Sequence, residues 1–188
     1  MDALLIVLLG CLLGEMGDKG QLLILALATR YNRNGAIIAG IFTAAIANAA
    51  ISAMAGAWIG PMMGADARLL FMALSILFLG AGLFWPVSAP DPLAGWPTGA
   101  FLTTALGLFI LGFGDGPQFL ILGIATRTAD PALAGIGGAI GVIAALVPVV
   151  LLRHRILAVL PLRAIRWTGG ALLLASGGIM ALSALALL

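Results

Sequence analysis

Charged side chains are scarce in this sequence of 188 residues, where Asp, Glu, Lys and Arg together make up only 9%. A soluble domain of ordinary composition carries about a quarter. Hydrophobic residues make up 63% of the chain, and its mean hydropathy is +1.21. The chain therefore has too few polar groups to cover a globular surface in water, and the composition predicts that a lipid bilayer surrounds much of it.

Cysteine and histidine occur once each, as Cys11 and His154. A single cysteine excludes an intrachain disulfide, and we interpret Cys11 as a small buried hydrophobe. His154 lies between two arginines in a loop, so no zinc-ligand spacing is present. No nucleophile–base pattern stands out, which makes an enzyme the least favoured class. Lys and Arg exceed Asp and Glu by only two, 9 against 7, so the charge typical of a nucleic-acid-binding surface is missing.

What the sequence does contain is six long apolar segments. A helix of about 20 residues crosses a hydrocarbon core of ~30 Å. The segments cover residues 3–28, 35–60, 68–86, 98–126, 132–152 and 166–187. The first one lacks a basic leading region, so no cleaved signal peptide is expected. We predict an all-α integral membrane protein with six transmembrane helices.

The chain also contains an internal repeat. The sequence EMGDKGQLLILALATR at 15–30 aligns with GFGDGPQFLILGIATR at 112–127 at a constant offset of 97. The aligned polar pairs are Gly17 and Gly114, Asp18 and Asp115, and Gln21 and Gln118. Apolar composition alone does not produce such polar matches. We predict two three-helix repeats, 1–86 and 98–188, joined by a proline-rich linker at 87–97.

Arginines between the segments predict the orientation. With the N-terminus outside, the outer loops hold only Arg68 and Arg127. The cytoplasmic loops then hold Arg30, Arg33, Arg153, Arg155, Arg163 and Arg166, and we expect the last four to lie at the interface with anionic lipid. The positive-inside rule therefore favours both termini outside. Three helices per half would invert the second half, so the motifs of helices 1 and 4 are expected to meet near the midplane.

Acidic residues occur at membrane depth in both copies of the motif. Glu15 and Asp18 are spaced i, i+3, which predicts one face of helix 1, and Asp115 takes the equivalent place in helix 4. A charged carboxylate at this depth is costly unless it faces protein, water or a cation. A structural ion pair between Glu15 and Lys19 is the simpler alternative, but it leaves the recurrence in the second half unexplained.

Gly114, Gly116 and Pro117 predict a break in helix 4. In a continuous helix Pro117 would lack an amide hydrogen and clash with the carbonyl of Phe113, which then needs another partner in the membrane. A bound cation, a water or a side chain would supply that partner. Close helix packing through small residues is the alternative explanation.

The polar groups of the two motifs are oxygen donors, which points to a hard cation. They are the carboxylates of Glu15, Asp18 and Asp115 and the amides of Gln21 and Gln118. Ca²⁺, Mn²⁺ or Mg²⁺ suits such donors better than Zn²⁺ or Cu⁺. Burial also favours the neutral form of a carboxyl group, so protons would replace the metal when it leaves. No prosthetic group is implied, because the cation is the transported substrate.

The segment EMGDKGQ resembles the E-x-G-D-[KR]-[ST] signature of the GDT-type cation–proton exchangers, which belong to the LysE superfamily. The resemblance implies two homologous three-helix halves and transport of Ca²⁺ or Mn²⁺ in exchange for protons. It implies a metal-binding role for Glu15, Asp18, Gln21, Asp115 and Gln118, and charge balance by Lys19.

The chain departs from this signature at four positions. Gly20 replaces Ser or Thr, and in the second copy Gly112 replaces Glu, Gly116 replaces Lys or Arg, and Pro117 replaces Ser or Thr. One acid and one base are therefore missing together. The three remaining acids against Lys19 keep the formal charge at −2, which one divalent cation would neutralise. Asn48 of the second helix has Ala145 as its repeat counterpart, and we interpret it as an interhelical hydrogen-bonding residue.

Three functions remain open. The leading hypothesis is an antiporter of the bacterial inner membrane that moves Mn²⁺ or Ca²⁺ against protons by alternating access, with a homodimer left open. An exporter of an amino acid or small organic cation, as elsewhere in the superfamily, would need a larger cavity with apolar walls. A membrane subunit that transports nothing would bind no metal, so replacing the acids would leave metal binding unchanged.

Overall fold

The structure is a computed structural model that describes residues 2–153, 155 and 161–185. These residues form helices joined by turns and one longer linker, with no β-strand among them. The helices are α1 (Asp2–Glu15), α2 (Lys19–Tyr31), α3 (Asn34–Ile59), α4 (Ala65–Gly82), α5 (Ala100–Gly112), α6 (Gly116–Ala125), α7 (Pro131–Leu152) and α8 (Leu162–Ala184). A short 3₁₀ turn, Gly60–Met62, extends α3. His154 lies outside the described residues.

Four of the helices are long and apolar enough to cross a membrane. They are α3 with its 3₁₀ extension, α4, α7 and α8. The helices α5 and α6 give a fifth span if this pair, bent by 67°, is counted as one. The prediction of an all-helical protein with membrane-spanning helices is therefore confirmed. The count of six spans and the inversion of the second half remain predictions.

Short breaks interrupt the first and fourth apolar segments at equivalent positions. Residues 16–18 separate α1 from α2, and residues 113–115 separate α5 from α6. Within them, Gly17 has φ +68° and Gly114 has φ +76°. A right-handed helix cannot contain this conformation, and glycine adopts it without a Cβ clash. The prediction of one continuous helix through the first motif was therefore wrong.

Glycines allow helices of the two halves to approach closely. A Cβ atom at Gly137 of α7 would collide with the carbonyl oxygen of Leu4 in α1. The offset of 97 relates Leu4 to Phe101 of α5 and relates Gly40 of α3 to Gly137. A Cβ atom at Gly40 would lie 2.9 Å from the carbonyl oxygen of Phe101. Backbones approach this closely only where no side chain intervenes. The contact of α1 with α7 thus has its counterpart in the contact of α3 with α5.

The two broken segments run antiparallel where they meet. Gly10 of α1 lies against Leu120 of α6, and Gly14 lies against Pro117, so the partner number falls as α1 advances. The other two pieces, α2 and α5, are also in contact. This crossing brings the break at 16–18 close to the break at 113–115 and so positions the polar groups of both motifs.

The helices α4 and α8 pack together beside this crossing, again through glycine. Gly80 of α4 lies against Leu173 and against the backbone of Gly170 in α8. On the outer faces, large apolar side chains remain exposed, among them Leu9, Phe78 and Leu172. Such exposure is expected where lipid rather than water surrounds the helices.

Candidate metal site

Glu15 ends α1 inside the bundle, and its side chain is only 8% exposed. Its Oε2 atom lies so close to Gly20 that a Cβ atom there would be 2.5 Å away. Among the described residues, no hydrogen bond or ion pair involves this carboxylate. A buried acid without a protein cation needs another positive group, or a proton, to offset its charge.

A cavity of about 40 Å³ opens next to Glu15. Its polar lining comes from Glu15, Asn48, Asp115 and Gln118, with Gly20 and Gly112 between them. The two carboxylates come from different halves of the chain. A volume of this order holds an ion or a few waters, because one water needs about 10–15 Å³ by the same measure.

Asp18 stands apart from Glu15, on the other side of the break. It is the residue that precedes α2, and its Oδ1 lies 3.7 Å from Nη1 of Arg166. It lines a second cavity of about 330 Å³, together with Lys19, Asp115 and Arg166. The expectation that Glu15 and Asp18 share one helix face was wrong, because the turn at Gly17 redirects the chain between them.

Asp115 precedes α6 as Asp18 precedes α2, and its Oδ1 accepts a hydrogen bond of 2.7 Å from the backbone N–H of Gly116. The free N–H groups at a helix N-terminus favour a negative charge there. Of the three motif carboxylates, only Asp115 lines both cavities. The structure thus brings Asp115 together with Glu15 on one side and with Asp18 on the other, but it does not gather all three around one point.

The two glutamines stabilise the breaks in the same way. The Oε1 atom of Gln21 accepts from the N–H of Gly17 at 3.0 Å, and that of Gln118 accepts from the N–H of Gly114 at 2.9 Å. Gln21 also donates through Nε2 to the carbonyl oxygen of Ala145 at 2.9 Å. The sequence suggested free amide oxygens for a metal. In the structure each oxygen already accepts one backbone hydrogen bond and keeps one lone pair.

The sequence interpretation missed Arg166. It was expected at the lipid interface, but it is 8% exposed and turned inward from α8. Besides approaching Asp18, its guanidinium donates to the carbonyl oxygens of Met16 at 3.4 Å, and of Gly82 and Trp85 at 3.2 Å each. The sequence signal that could have predicted this inward position was its place within the last apolar helix, because an arginine that faces lipid is costly. Without Arg166, the predicted cytoplasmic loops still hold five arginines and the predicted outer loops two, so the expectation that both termini lie outside is unchanged.

Lys19, predicted to balance the motif charge, is exposed and has no carboxylate within 4 Å among the described residues. Gly116 and Pro117 form the first turn of α6, where a proline needs no amide hydrogen bond. The predicted clash of Pro117 with the Phe113 carbonyl does not arise, because Phe113 precedes the start of this helix. Across residues 2–153, 155 and 161–185, no three His, Cys, Asp or Glu side chains are close enough to hold a metal ion.

Comparison with known proteins identifies the family. Residues 3–91 and 100–187 match the family described as "Divalent cation/proton antiporter GDT1". The chain belongs to the GDT1 family. A protein of Vibrio cholerae serotype O1 called "Putative manganese exporter" is 34% identical over 158 residues, which cover 81% of this chain and 76% of that protein. No solved structure matches the chain.

Membership in the GDT1 family confirms the resemblance seen in the motif EMGDKGQ. The match covers both halves of the chain, including the divergent second motif at 112–118. GDT1 proteins form a transporter family rather than an enzyme class. Family membership and the apolar helices together support transport of a divalent cation by an integral membrane protein.

Proposed function

We propose that this GDT1-family protein exchanges Mn²⁺ for protons across the bacterial inner membrane, at the cavity lined by Glu15 and Asp115. The observation that carries the proposal is the meeting of these two carboxylates, one from each half, in a cavity of about 40 Å³. Asp18 has Arg166 as its cationic neighbour, so the uncompensated charge at the cavity is that of two carboxylates. One divalent cation would neutralise it.

Manganese is the favoured ion because the relative in Vibrio cholerae carries that metal in its name. Carboxylate and amide oxygens suit Mn²⁺ as well as Ca²⁺. Ca²⁺ takes six to eight oxygen ligands, whereas Mn²⁺ favours an octahedral set of six, so the few side chains of the small cavity come closer to completing the shell of Mn²⁺. Ca²⁺ remains the second candidate, and direct competition between the two ions would decide.

Proton exchange would use the same cavity. In a dry interior the charged form of a carboxyl group is disfavoured unless a cation compensates it. When Mn²⁺ leaves, a proton bound by the buried Glu15 would replace that compensation. Metal and protons would therefore compete for one site, which couples their movement in opposite directions.

We place this site at the centre of a six-span inverted repeat with both termini outside. The glycine contacts that recur at an offset of 97, and the antiparallel crossing of α1 with α6, support this arrangement. Asp115 lines both cavities, so we propose that access to the ion alternates around it. An amino acid exporter would need a larger cavity than the one beside Glu15, and the cavity of about 330 Å³ beside Asp18 is the candidate for that function.

Reconstitution in liposomes tests the proposal. With a pH gradient and a Mn²⁺-sensitive dye inside, wild-type protein should move Mn²⁺ and move protons the other way. Glu15→Gln and Asp115→Asn should each lower the initial rate at least about tenfold, as loss of groups that support a metal site commonly does. Asp66→Asn changes an exposed acid at the start of α4 and should transport like wild type.

Two results would refute the proposal. The first is wild-type protein, shown to be folded, that moves neither Mn²⁺ nor Ca²⁺ under a pH gradient. The second is transport by Glu15→Gln and Asp115→Asn at the wild-type rate. Transport that proceeds equally well without any proton movement would refute the exchange and leave only cation transport.

A further inference from the structure

An asparagine in the middle of α3 faces the cavity that holds Glu15 and Asp115. Asn48 lies in a helix whose neighbouring residues are almost all apolar, and it is one of the residues that line the cavity. A polar side chain at this depth is costly unless it finds a partner. The partners of its two amide atoms therefore indicate what Asn48 does.

Only one end of the Asn48 amide is occupied. Its Nδ2 donates to the carbonyl oxygen of Phe109 in α5 at 3.4 Å. Its Oδ1 is fully buried and has no hydrogen-bond partner among the described residues. An interhelical hydrogen bond, as the sequence suggested, accounts for the nitrogen and leaves the oxygen unexplained.

The position of Asn48 relates it to the missing acid of the second motif. A Cβ atom at Gly112 would lie 2.9 Å from Nδ2 of Asn48. Asn48 therefore occupies the space into which a side chain at position 112 would grow. The family signature has Glu at this position, so an amide from α3 stands where a carboxylate from α5 would otherwise reach the cavity.

The repeat shows that this arrangement is specific to one side of the site. The counterpart of Asn48 is Ala145, whose carbonyl oxygen accepts the Nε2 hydrogen of Gln21. The corresponding Nε2 of Gln118 is buried without a partner among the described residues. Asn48 and Gln118 both line the cavity, and each thus keeps one buried amide atom without a partner among the described residues.

A cation in the cavity would satisfy the unpaired oxygen of Asn48, which the metal would take as a ligand. Two carboxylates alone also leave a hard divalent cation short of oxygen ligands. Since no three acidic, Cys or His side chains cluster in the described part of the chain, the additional protein ligand must be a neutral group.

We propose that Oδ1 of Asn48 is a direct ligand of the transported cation and replaces the acid that is absent at Gly112. This inference rests on the proposed function, because it assigns a further ligand to the same site. It also explains why the site keeps two uncompensated acids: the substitute ligand adds an oxygen without adding charge.

Binding of Mn²⁺ alone to purified protein in detergent tests the ligand, with free Mn²⁺ followed by its electron paramagnetic resonance signal. Asn48→Ala and Asn48→Leu should raise the Kd at least about tenfold, while Asn48→Asp, which keeps the oxygen, should not weaken binding. The double variant Asn48→Ala with Gly112→Glu should return the Kd to within about threefold of wild type, because the glutamate gains the space of the amide.

A change of ligand type separates coordination from mere positioning. Asn48→Cys should raise the preference for Cd²⁺ over Mn²⁺ at least about tenfold, because a thiolate selects soft ions. Ala50→Cys is the matched control, since this exposed residue lies about 200° further around the same helix and should leave the preference unchanged. Wild type, which keeps Cys11, is the baseline.

The outcomes distinguish this inference from the proposed function. If wild type binds Mn²⁺ but Asn48→Ala and Asn48→Leu bind it within about twofold of wild type, Asn48 is not a ligand and the transporter proposal stands. An unchanged Cd²⁺ preference in Asn48→Cys also overturns the inference, even where Asn48→Ala is too unstable to measure. If folded wild type binds no divalent cation, both proposals fail.

Discussion

Arg166 of α8 lies 3.7 Å from Asp18, measured from Nη1 to Oδ1, at the turn between α1 and α2. The same guanidinium donates to backbone carbonyl oxygens of Met16, Gly82 and Trp85. One side chain therefore connects the first break to the C-terminal end of α4. It also offsets the charge of Asp18, so that two of the three motif acids are left for a cation.

We predict that Arg166→Ala destabilises the protein by about 3 kcal/mol, the lower end of the cost of breaking a buried ion pair. The loss is large because three carbonyl oxygens lose their donor and one carboxylate loses its neighbouring cation. Thermal unfolding in detergent would measure it, with Arg163→Ala as control, since Arg163 is exposed on the same helix. Equal melting temperatures for the two variants would contradict this role of Arg166.

Gly17→Ala should destabilise the protein more than Gly114→Ala. Both residues have positive φ, which costs a non-glycine residue about 1–2 kcal/mol. At Gly17 the new Cβ would also lie 3.2 Å from Cδ of Arg166, whereas at Gly114 nothing lies within 4 Å. The two thermal midpoints, measured side by side, would test this order, and the reverse order would show that the turns are packed differently.

Gly20→Ser should weaken Mn²⁺ binding about fivefold, or by ~1 kcal/mol, although it restores the residue type of the family signature. The added Cβ would lie 2.5 Å from Oε2 of Glu15 and displace the carboxylate. Gly35→Ser is the control, since nothing lies within 4 Å of a Cβ there. Tighter binding by Gly20→Ser in a Mn²⁺ titration would mean that Glu15 is held elsewhere.

Gln21→Ala should cost about 1–3 kcal/mol of stability, and Gln118→Ala clearly less. Gln21 satisfies a backbone N–H and the buried carbonyl of Ala145, and a buried group left unpaired costs that amount. Gln118 makes a single bond to the N–H of Gly114, an exposed residue. Chemical unfolding of the two variants would test the difference, and equal losses would contradict it.

Much of the architecture could be predicted from composition and repetition. The four membrane-spanning helices begin and end within a few residues of the predicted apolar segments. The offset of 97 correctly paired Gly17 with Gly114 and Gln21 with Gln118, which make the same turn and the same hydrogen bond in each half. Local sequence was sufficient for the spans because hydropathy acts over a single segment.

The details of the site could not be predicted in this way. Helix periodicity placed Glu15 and Asp18 on one face, but one residue with positive φ between them sends them to different cavities. Loop position assigned Arg166 to the lipid interface, although it packs against the turn of the first motif. The first error comes from a local turn at Gly17, and the second arises because the neighbours of Arg166 come from segments far along the chain.

The sequence by itself determined that this protein enters a membrane, that one motif recurs at an offset of 97, and that acids occur in both copies. The length of an apolar segment and the recurrence of polar residues can both be recognised without knowing how the helices pack. Only the tertiary structure decided which groups meet: Glu15 with Asp115, Asp18 with Arg166, and Asn48 with the space at Gly112. The reason is that glycine contacts between distant helices set the crossing, and the crossing sets which side chains lie together.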